Sequence, residues 1–130
     1  MTAAPSDSTA GPLVLVIDDE EAVRSVIGRT LTKLGYRVLL ASSGQEGITL
    51  FERNAKEVRL VVLDWHLPGA PGERTFDELI KRDPAVRVVL VTGDHDADLG
   101  ANARQYLACI LLKPFTTGEL TLAVNTVIAA

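Results

Sequence analysis

The sequence predicts an α/β protein built on an open, five-stranded parallel sheet that is doubly wound, (βα)5, with right-handed crossovers and helices on both faces. Two observations predict this class. Short apolar runs alternate along the chain with longer amphipathic stretches. Three of the runs show little or no polar alternation, which is typical of strands buried on both faces of a parallel sheet.

The apolar runs define the strands. Each run is short, rich in Val, Leu and Ile, and followed by a polar residue. The predicted strands are Leu13–Ile17, Val38–Ala41, Leu60–Leu63, Val86–Val91 and Ala108–Leu112.

The first helix is marked by a stripe of apolar residues with a period of about 3.6. We expect it to end at Gly35, as the left-handed residue that follows a helix. The stripe consists of Val23, Val26, Ile27, Leu31 and Leu34.

Capping motifs mark the start of two further helices. Ser43 and Glu46 have the spacing of a capping box and open the second helix, and Thr116 and Glu119 open the last one.

The remaining helices have weaker signals. One is predicted over Glu73–Arg82, where Pro84 prevents continuation. The other, around Asp96–Arg104, is predicted to be short or mobile because its apolar positions are mostly Ala and Gly100 lies in its middle.

Length and charge favour one acidic domain. The chain has 130 residues, with 13 Lys and Arg against 17 Asp and Glu, so the net charge is −4. Residues 1–12 are small or polar and are expected to form a flexible N-terminal tail, and residues 13–130 the domain. Because the chain lacks the basic surface that binding to a phosphate backbone needs, we expect no direct contact with nucleic acid.

Other features favour a cytoplasmic protein. The single cysteine, Cys109, cannot form an internal disulfide and lies in an apolar run, where we expect a buried thiol. No apolar stretch approaches the roughly 18 residues of a membrane span. No Lys or Arg precedes Arg24, although a secretory signal would begin with a basic segment. We therefore expect neither insertion into a membrane nor secretion.

Polar residues follow four of the predicted strands. Asp18 and Asp19 follow the first strand, Asp64 the third, Thr92 the fourth and Lys113 the fifth. The carboxyl ends of parallel strands meet at one edge of the sheet, where open α/β proteins bind ligands. Each residue alone has a structural explanation, such as Asp19 as a helix N-cap. Together they predict a site.

The residue types at this site indicate its chemistry. Neighbouring carboxylates repel one another unless a positive charge compensates them. A hard divalent cation prefers such oxygen ligands, and we expect Mg²⁺, with Mn²⁺ as a substitute. A carboxylate can also attack phosphorus and form an aspartyl phosphate. Thr92 and Lys113 would then hold and neutralise the phosphoryl oxygens.

These residues resemble the receiver domain of two-component response regulators. The resemblance covers about residues 12–129 and implies a flavodoxin-like strand order, 2-1-3-4-5. The matching motifs are Asp18-Asp19-Glu20, Asp64-x-x-x-Pro68-Gly69-x-x-Gly72, Thr92-Gly93 and Lys113-Pro114-Phe115.

The resemblance implies a phosphoacceptor and a metal site. Asp64 is the expected phosphoacceptor. Asp18 and Asp19 are expected to hold Mg²⁺ together with Asp64 and the backbone carbonyl of His66.

It also implies a signalling role. Thr92 is the expected switch hydroxyl, and Thr92, Gly93 and Lys113 are the expected contacts of the phosphoryl group. The implied donor is a phosphohistidine on a histidine kinase or a histidine phosphotransfer protein. Phosphotransfer and autodephosphorylation are self-catalysed, so the resemblance implies a signalling domain and not a turnover enzyme.

Several positions depart from the family pattern. The residue three positions before the lysine is usually aromatic and part of the switch, and here it is Ile110, with Tyr106 four residues earlier. Trp65 and His66 replace the more usual aliphatic or amide pair. We expect Trp65 to be a partly exposed packing residue or a partner contact.

Two side chains are expected to tune the lifetime of the phosphoryl group. By resemblance they are His66 and Asp94, each two positions after a site residue. The simpler interpretation of the His66 imidazole is a residue of a surface loop.

Other functions fit less well. A haloacid-dehalogenase-like phosphatase also uses an aspartate nucleophile, but its signature is Asp-x-Asp, and here Glu20 stands two positions after Asp18. A nucleotide-binding Rossmann domain would need G-x-G-x-x-G in the first β–α turn. A pseudo-receiver would lack part of the acidic, Thr and Lys set. We expect either a stand-alone receiver or one attached to a larger protein such as a hybrid histidine kinase.

Overall fold

The computed structural model describes residues 11–67, 72–94 and 99–130. Five strands and five helices alternate along this part of the chain. The strands are β1 (Leu13–Ile17), β2 (Arg37–Ala41), β3 (Val58–Asp64), β4 (Val88–Thr92) and β5 (Cys109–Leu112). The helices are α1 (Glu21–Lys33), α2 (Gly44–Arg53), α3 (Gly72–Arg82), α4 (Gly100–Tyr106) and α5 (Thr117–Ala129).

The strands form one parallel sheet in the order β2-β1-β3-β4-β5, which confirms the predicted class and strand order. The three central strands are buried along almost their whole length, as the unbroken apolar runs predicted. On one face of the sheet the core includes Ile27 and Leu31 of α1 and Leu120 of α5. On the other face it includes Phe51 of α2 and Phe76 of α3.

Local hydrogen bonds shift some element boundaries from the predicted ones. β4 begins at Val88 and not at Val86, because the Val86 N–H donates to the carbonyl of Asp83 in a turn after α3. The Ala85 N–H donates to Oδ1 of the same aspartate. This turn consumes the first residues of the apolar run.

The helix ends confirm most of the capping predictions. Gly35 has a φ of 96°, as expected after α1. The full capping box is present between Thr116 and Glu119. At α2 only half of the predicted box forms: the Ser43 side chain accepts from the Glu46 N–H, while the Glu46 carboxylate accepts from the backbone N–H and the hydroxyl of Ser42.

Two burial predictions are corrected. Trp65 is 7% exposed and packs in the core on the α2 and α3 side of the sheet, so it is not a partly exposed residue. Cys109 is only half-buried because β5 is an edge strand. Burial raises the pKa of its thiol.

Parts of three sequence predictions fall on residues that the structure does not describe. Residues 1–10, Pro68 with Gly69, and the start of the predicted Asp96–Arg104 helix lie outside the described residues. Gly11 and Pro12 accept hydrogen bonds through their carbonyls from the side chain and the N–H of Arg37. No helix in the described ranges has the length and apolar character to span a membrane.

Candidate acidic site at the carboxyl edge of the sheet

The sheet brings the predicted site residues to one edge. Asp64 and Thr92 are the last residues of β3 and β4, and Asp18 and Lys113 directly follow β1 and β5. Hydrogen bonds continue the sheet beyond the strand ends: the Asp18 N–H donates to Ala41, and the Lys113 N–H donates to the Thr92 carbonyl at 2.8 Å. The backbone that carries these side chains is therefore held by the sheet.

Asp18 and Asp64 are held in the same way. Oδ1 of Asp18 accepts from the Glu20 N–H at 2.9 Å, and Oδ1 of Asp64 accepts from the His66 N–H at 3.1 Å. Each aspartate thus caps the turn that follows its strand. The N-cap position of α1 is Glu20, which makes no side-chain cap, so the alternative explanation of Asp19 as a helix N-cap does not hold.

The second oxygens of both aspartates face one cation. Lys113 Nζ lies 3.5 Å from Oδ2 of Asp64 and 3.9 Å from Oδ2 of Asp18. It also lies 3.5 Å from the exposed carboxylate of Glu20. Among the described residues, Oδ2 of Asp18 is the buried side-chain oxygen or nitrogen that lacks a hydrogen-bond partner. One ammonium therefore faces three carboxylates without satisfying all of them.

The pKa values reflect this crowding. Burial raises the pKa of Asp18 to about 6; the hydrogen bond from Glu20 opposes the rise, and the charge of Asp64 adds to it. Burial likewise raises the pKa of Asp64, against the hydrogen bond from His66 and the charge of Lys113. Burial lowers the pKa of Lys113, but the charges of Asp64, Asp18 and Glu20 outweigh it, and the net shift is upward. Two buried carboxylates near one ammonium are short of positive charge.

The acidic residues fit a divalent cation. Asp18, Asp19 and Asp64 each offer a carboxylate oxygen, and these oxygens lie within 4.8 Å of one another. Asp18 and Asp64 are buried, whereas Asp19 is exposed, so its side chain can adjust to an ion. Oδ2 of Asp18 is the second sign of fit: it has no hydrogen-bond partner and only the ion pair with Lys113 at 3.9 Å, and a buried oxygen without a hydrogen-bond donor is costly unless a cation binds it directly.

Thr92 connects the acidic residues to the neighbouring loop. Its hydroxyl oxygen accepts from the Asp94 N–H at 3.1 Å and lies 3.3 Å from Nε2 of His66. Thr92 is buried, whereas the other two residues are exposed. The expected surface position of His66 is thus confirmed, but its imidazole has a specific contact that the sequence did not reveal.

Two glycines leave room at the site. A Cβ at position 93 would only touch Cβ of Lys113, at 3.9 Å, so the space beside Thr92 is open. At position 72 a Cβ would overlap the backbone of Trp65, whose carbonyl accepts from the Gly72 N–H at 2.9 Å. Gly72 therefore allows the start of α3 to lie directly against the residue that follows Asp64.

The position that is usually aromatic in the family lies on the edge strand β5. Ile110 is on β5, and its side chain is 44% exposed. Tyr106, at the end of α4, packs partly buried against the core on the α2 and α3 side.

Sequence reasoning missed Arg24. Its guanidinium donates to the backbone carbonyl of Asp18 at 2.9 Å and so ties the first turn of α1 to the acidic loop. The sequence signal that could have indicated this contact is the position of Arg24, one helical turn after Glu20 and shortly after a run of four acidic residues. The arrangement as a whole can bind a divalent cation and, beside it, an anion that touches a lysine and a threonine hydroxyl.

Comparison with known proteins identifies relatives of the whole domain. A family model described as the response regulator receiver domain matches residues 14–125. A probable transcriptional regulator, ycf27, of Guillardia theta is 31% identical over 120 residues, which cover 88% of this chain and 44% of that protein. The sensor kinase CckA of Brucella abortus is 34% identical over 124 residues, 92% of this chain and 13% of the kinase. This chain spans less than half the length of either relative.

Solved structures agree with these relatives. A response regulator receiver domain protein from Clostridium thermocellum has a TM-score of 0.84 and 32% identity, covering 92% of this chain and 95% of that one. The receiver domain of a hybrid histidine kinase, CckA, has a TM-score of 0.76 and 28% identity, covering 89% of this chain and 98% of that one.

Proposed function

The chain belongs to the response regulator receiver domain family, and on that premise we propose that Asp64 accepts a phosphoryl group from a phosphohistidine in the presence of Mg²⁺. One observation carries the proposal: Oδ2 of Asp18 is buried without a hydrogen-bond partner beside the buried Asp64. Such a pair is unfavourable in a structural ion cluster but suits a site that must bind a cation and then an anion.

The metal would be held by this chain's own oxygens. Asp18, Asp19 and Asp64 supply carboxylates, and the backbone carbonyl of His66 is the proposed fourth ligand. Mg²⁺, when bound, neutralises these carboxylates and attracts the phosphoryl oxygens; Mn²⁺ is the proposed substitute.

The transfer step needs an ionised Asp64. A carboxylate oxygen of Asp64 forms a bond to phosphorus while the P–N bond to the donor imidazole breaks, and the donor nitrogen keeps the electron pair. The charge of Lys113 favours the ionised carboxylate. After transfer, Lys113 can leave Oδ2 and pair with a phosphoryl oxygen, and the Thr92 hydroxyl and the backbone at Gly93 complete the contacts.

The proposed role is signalling. The partner that supplies the phosphoryl group is a histidine kinase or a histidine phosphotransfer protein, in the cytoplasm, and phosphorylation changes how the domain binds a downstream protein. Thr92 and Ile110 are the proposed switch residues, and His66 and Asp94 the proposed determinants of phosphoryl lifetime. Membership of the receiver family supports self-catalysed transfer without turnover of external phosphate esters.

Intact-mass spectrometry tests the proposal. The protein is incubated with phosphoramidate, whose P–N bond resembles that of phosphohistidine, or with acetyl phosphate, and with MgCl₂ or EDTA. We expect one added phosphoryl group with MgCl₂ and none with EDTA. Asp64→Asn should abolish the addition, whereas Asp83→Asn, a matched change in the turn after α3, should not. Equal labelling of wild type and Asp64→Asn would refute the assignment.

A further inference from the structure

We propose that the His66 imidazole holds the Thr92 hydroxyl in the unphosphorylated protein and competes with the phosphoryl group for it. The inference rests on the proposed function of Asp64 and adds a positioning residue to it. His66 makes two contacts at the site: its backbone N–H donates to Asp64 Oδ1 at 3.1 Å, and its Nε2 lies 3.3 Å from Thr92 Oγ1. One residue thus contacts both the proposed phosphoacceptor and the proposed switch hydroxyl.

The Thr92 hydroxyl has a single proton to donate, so it can donate either to His66 or to a phosphoryl oxygen but not to both. Thr92 Oγ1 already accepts from the Asp94 N–H at 3.1 Å, so its own proton remains to be donated. We assign that proton to Nε2 of a neutral His66 that carries its proton on Nδ1. The oxygens of an ionised phosphoryl group can only accept hydrogen bonds. The single hydroxyl proton therefore cannot serve His66 and the phosphoryl group together.

Exposure adds a consequence. His66 is exposed, whereas Thr92 is 2% exposed. Once the contact breaks, water satisfies the imidazole at little cost, but the buried hydroxyl needs another acceptor. The imidazole thus stabilises the resting position of Thr92, and it weakens binding of a phosphoryl group by about the net value of one hydrogen bond, which corresponds to a two- to tenfold change in affinity.

The contact itself can be tested without metal or phosphate. The chain has two histidines, so ¹⁵N spectra of the ring nitrogens are simple to assign. At pH 8, in EDTA, we expect the His66 ring of wild type to be mainly the Nδ1–H tautomer. Thr92→Val, which keeps the shape of the side chain, should shift the tautomer balance, and Thr92→Ser should keep it. An identical His66 spectrum in wild type and Thr92→Val would overturn the proposal.

The competition is tested with beryllofluoride, a phosphoryl mimic, at saturating Mg²⁺. Trp65, the single tryptophan, follows Asp64 directly and provides the fluorescence signal. His66→Leu should bind the mimic about two- to tenfold more tightly than wild type, and His66→Gln, whose amide can still accept from the hydroxyl, should stay near wild type. In a Thr92→Val background His66→Leu should have no effect. This non-additivity separates competition from a general change in the loop.

The outcomes distinguish this proposal from the proposed function. If Asp64→Asn still binds beryllofluoride, the phosphoacceptor assignment fails. If binding requires Asp64 but His66→Leu leaves the affinity unchanged or lowers it, or changes it equally in the Thr92→Val background, only the role of His66 fails. A lowered affinity would mean that the imidazole assists the phosphoryl group instead of competing with it. Thermal unfolding of each variant checks that the fold is intact.

Discussion

Lys113 Nζ lies 3.5 Å from Oδ2 of Asp64, although the two residues are 49 positions apart in the sequence. Asp64 ends β3 and Lys113 follows β5, and these two strands flank β4. The ammonium therefore reaches across the end of β4 to the carboxylate. The same ammonium lies 3.9 Å from Asp18. It is therefore the local counter-charge of both buried aspartates when no cation is bound.

Lys113→Gln should change metal binding and phosphorylation in opposite directions. Removing a positive charge beside the carboxylates should tighten Mg²⁺ binding by about threefold to tenfold. The same change should slow phosphoryl uptake roughly 100-fold, because a donor to the phosphoryl oxygens is lost. Trp65 fluorescence measures the first effect and mass spectrometry the second.

The matched control is Lys81→Gln, an exposed lysine in the last turn of α3. It changes the net charge equally and should leave both measurements near those of wild type. A parallel change in the two variants would mean that overall charge, and not the contact with Asp64, is responsible.

The stability of the metal-free protein should fall as pH rises. The pKa of Asp18 is about 6 in the folded state against 3.8 ordinarily, and that of Asp64 is also raised. Between pH 3.8 and about 6 the folded protein binds more protons than the unfolded chain, so the free energy of unfolding decreases with increasing pH. We expect a loss on the order of 1 kcal/mol from about pH 4 to pH 6.5 in EDTA.

Urea unfolding at several pH values measures this effect. Asp18→Asn should remove much of the dependence, because the amide has no charge to bury. Saturating Mg²⁺ should restore stability most strongly at the higher pH. A stability that rises over this pH range in EDTA, with a similar slope in Asp18→Asn, would contradict the crowded-carboxylate interpretation.

Gly72→Ala should destabilise the protein and disturb the site. Its Cβ would overlap the backbone of Trp65, and neither backbone segment can move aside cheaply. We expect a loss of about 1 to 3 kcal/mol in the free energy of unfolding and slower phosphoryl uptake, because Trp65 directly follows Asp64. Gly118→Ala is the control: in α5 its Cβ would meet only a hydroxyl oxygen at 3.7 Å. Equal losses in both variants would argue against a steric cause.

Phosphorylation should produce a muted change on the α4, β5 and α5 surface. In the receiver pattern an aromatic side chain fills the space that the threonine leaves, but Ile110 is smaller and has a restricted χ1. We expect smaller hydrogen-exchange changes there than around Asp64, and larger ones in Ile110→Tyr. Changes in wild type as large as those at Asp64 would count against Ile110 as a weak switch residue.

Asp94→Ala should prolong the phosphorylated state. The exposed Asp94 follows Thr92 closely, and its carboxylate could accept a hydrogen bond from the water that attacks phosphorus. We expect the hydrolysis of phospho-Asp64 to slow at least about threefold. The decay is followed by intact mass after removal of the phosphodonor, with Asp83→Ala as a control. Unchanged decay in Asp94→Ala would exclude this role.

The sequence alone predicts the sheet because its strands are buried on both faces. The runs that became β1, β3 and β4 contain almost no polar residue, which few other structures allow. Gathering of the site residues then follows from topology, since the residues that end parallel strands must lie at one edge. Asp64 and Lys113 meet for this reason and not because of any local pattern.

Side-chain environments were harder to predict. Trp65 follows a strand that ends in a polar residue, so the local pattern indicates a loop, yet the close approach of Gly72 brings α3 over it and buries it. The contact between His66 and Thr92 depends on how the segment after β3 lies against the end of β4. Such contacts carry no sequence periodicity, and only the folded arrangement reveals them.

The alternation of side chains along β1 has a consequence for mutational tolerance. Leu13, Leu15 and Ile17 point into one apolar layer, and Val14 and Val16 into the other. The backbone of the sheet thus separates two apolar layers, and the side-chain volume in one layer does not depend on the volume in the other. A substitution that enlarges a side chain beneath α1 and α5 can be offset by a smaller neighbour in that layer, without any change beneath α2 and α3. Homologous sequences should therefore show compensating size changes within each layer and independent variation between the two.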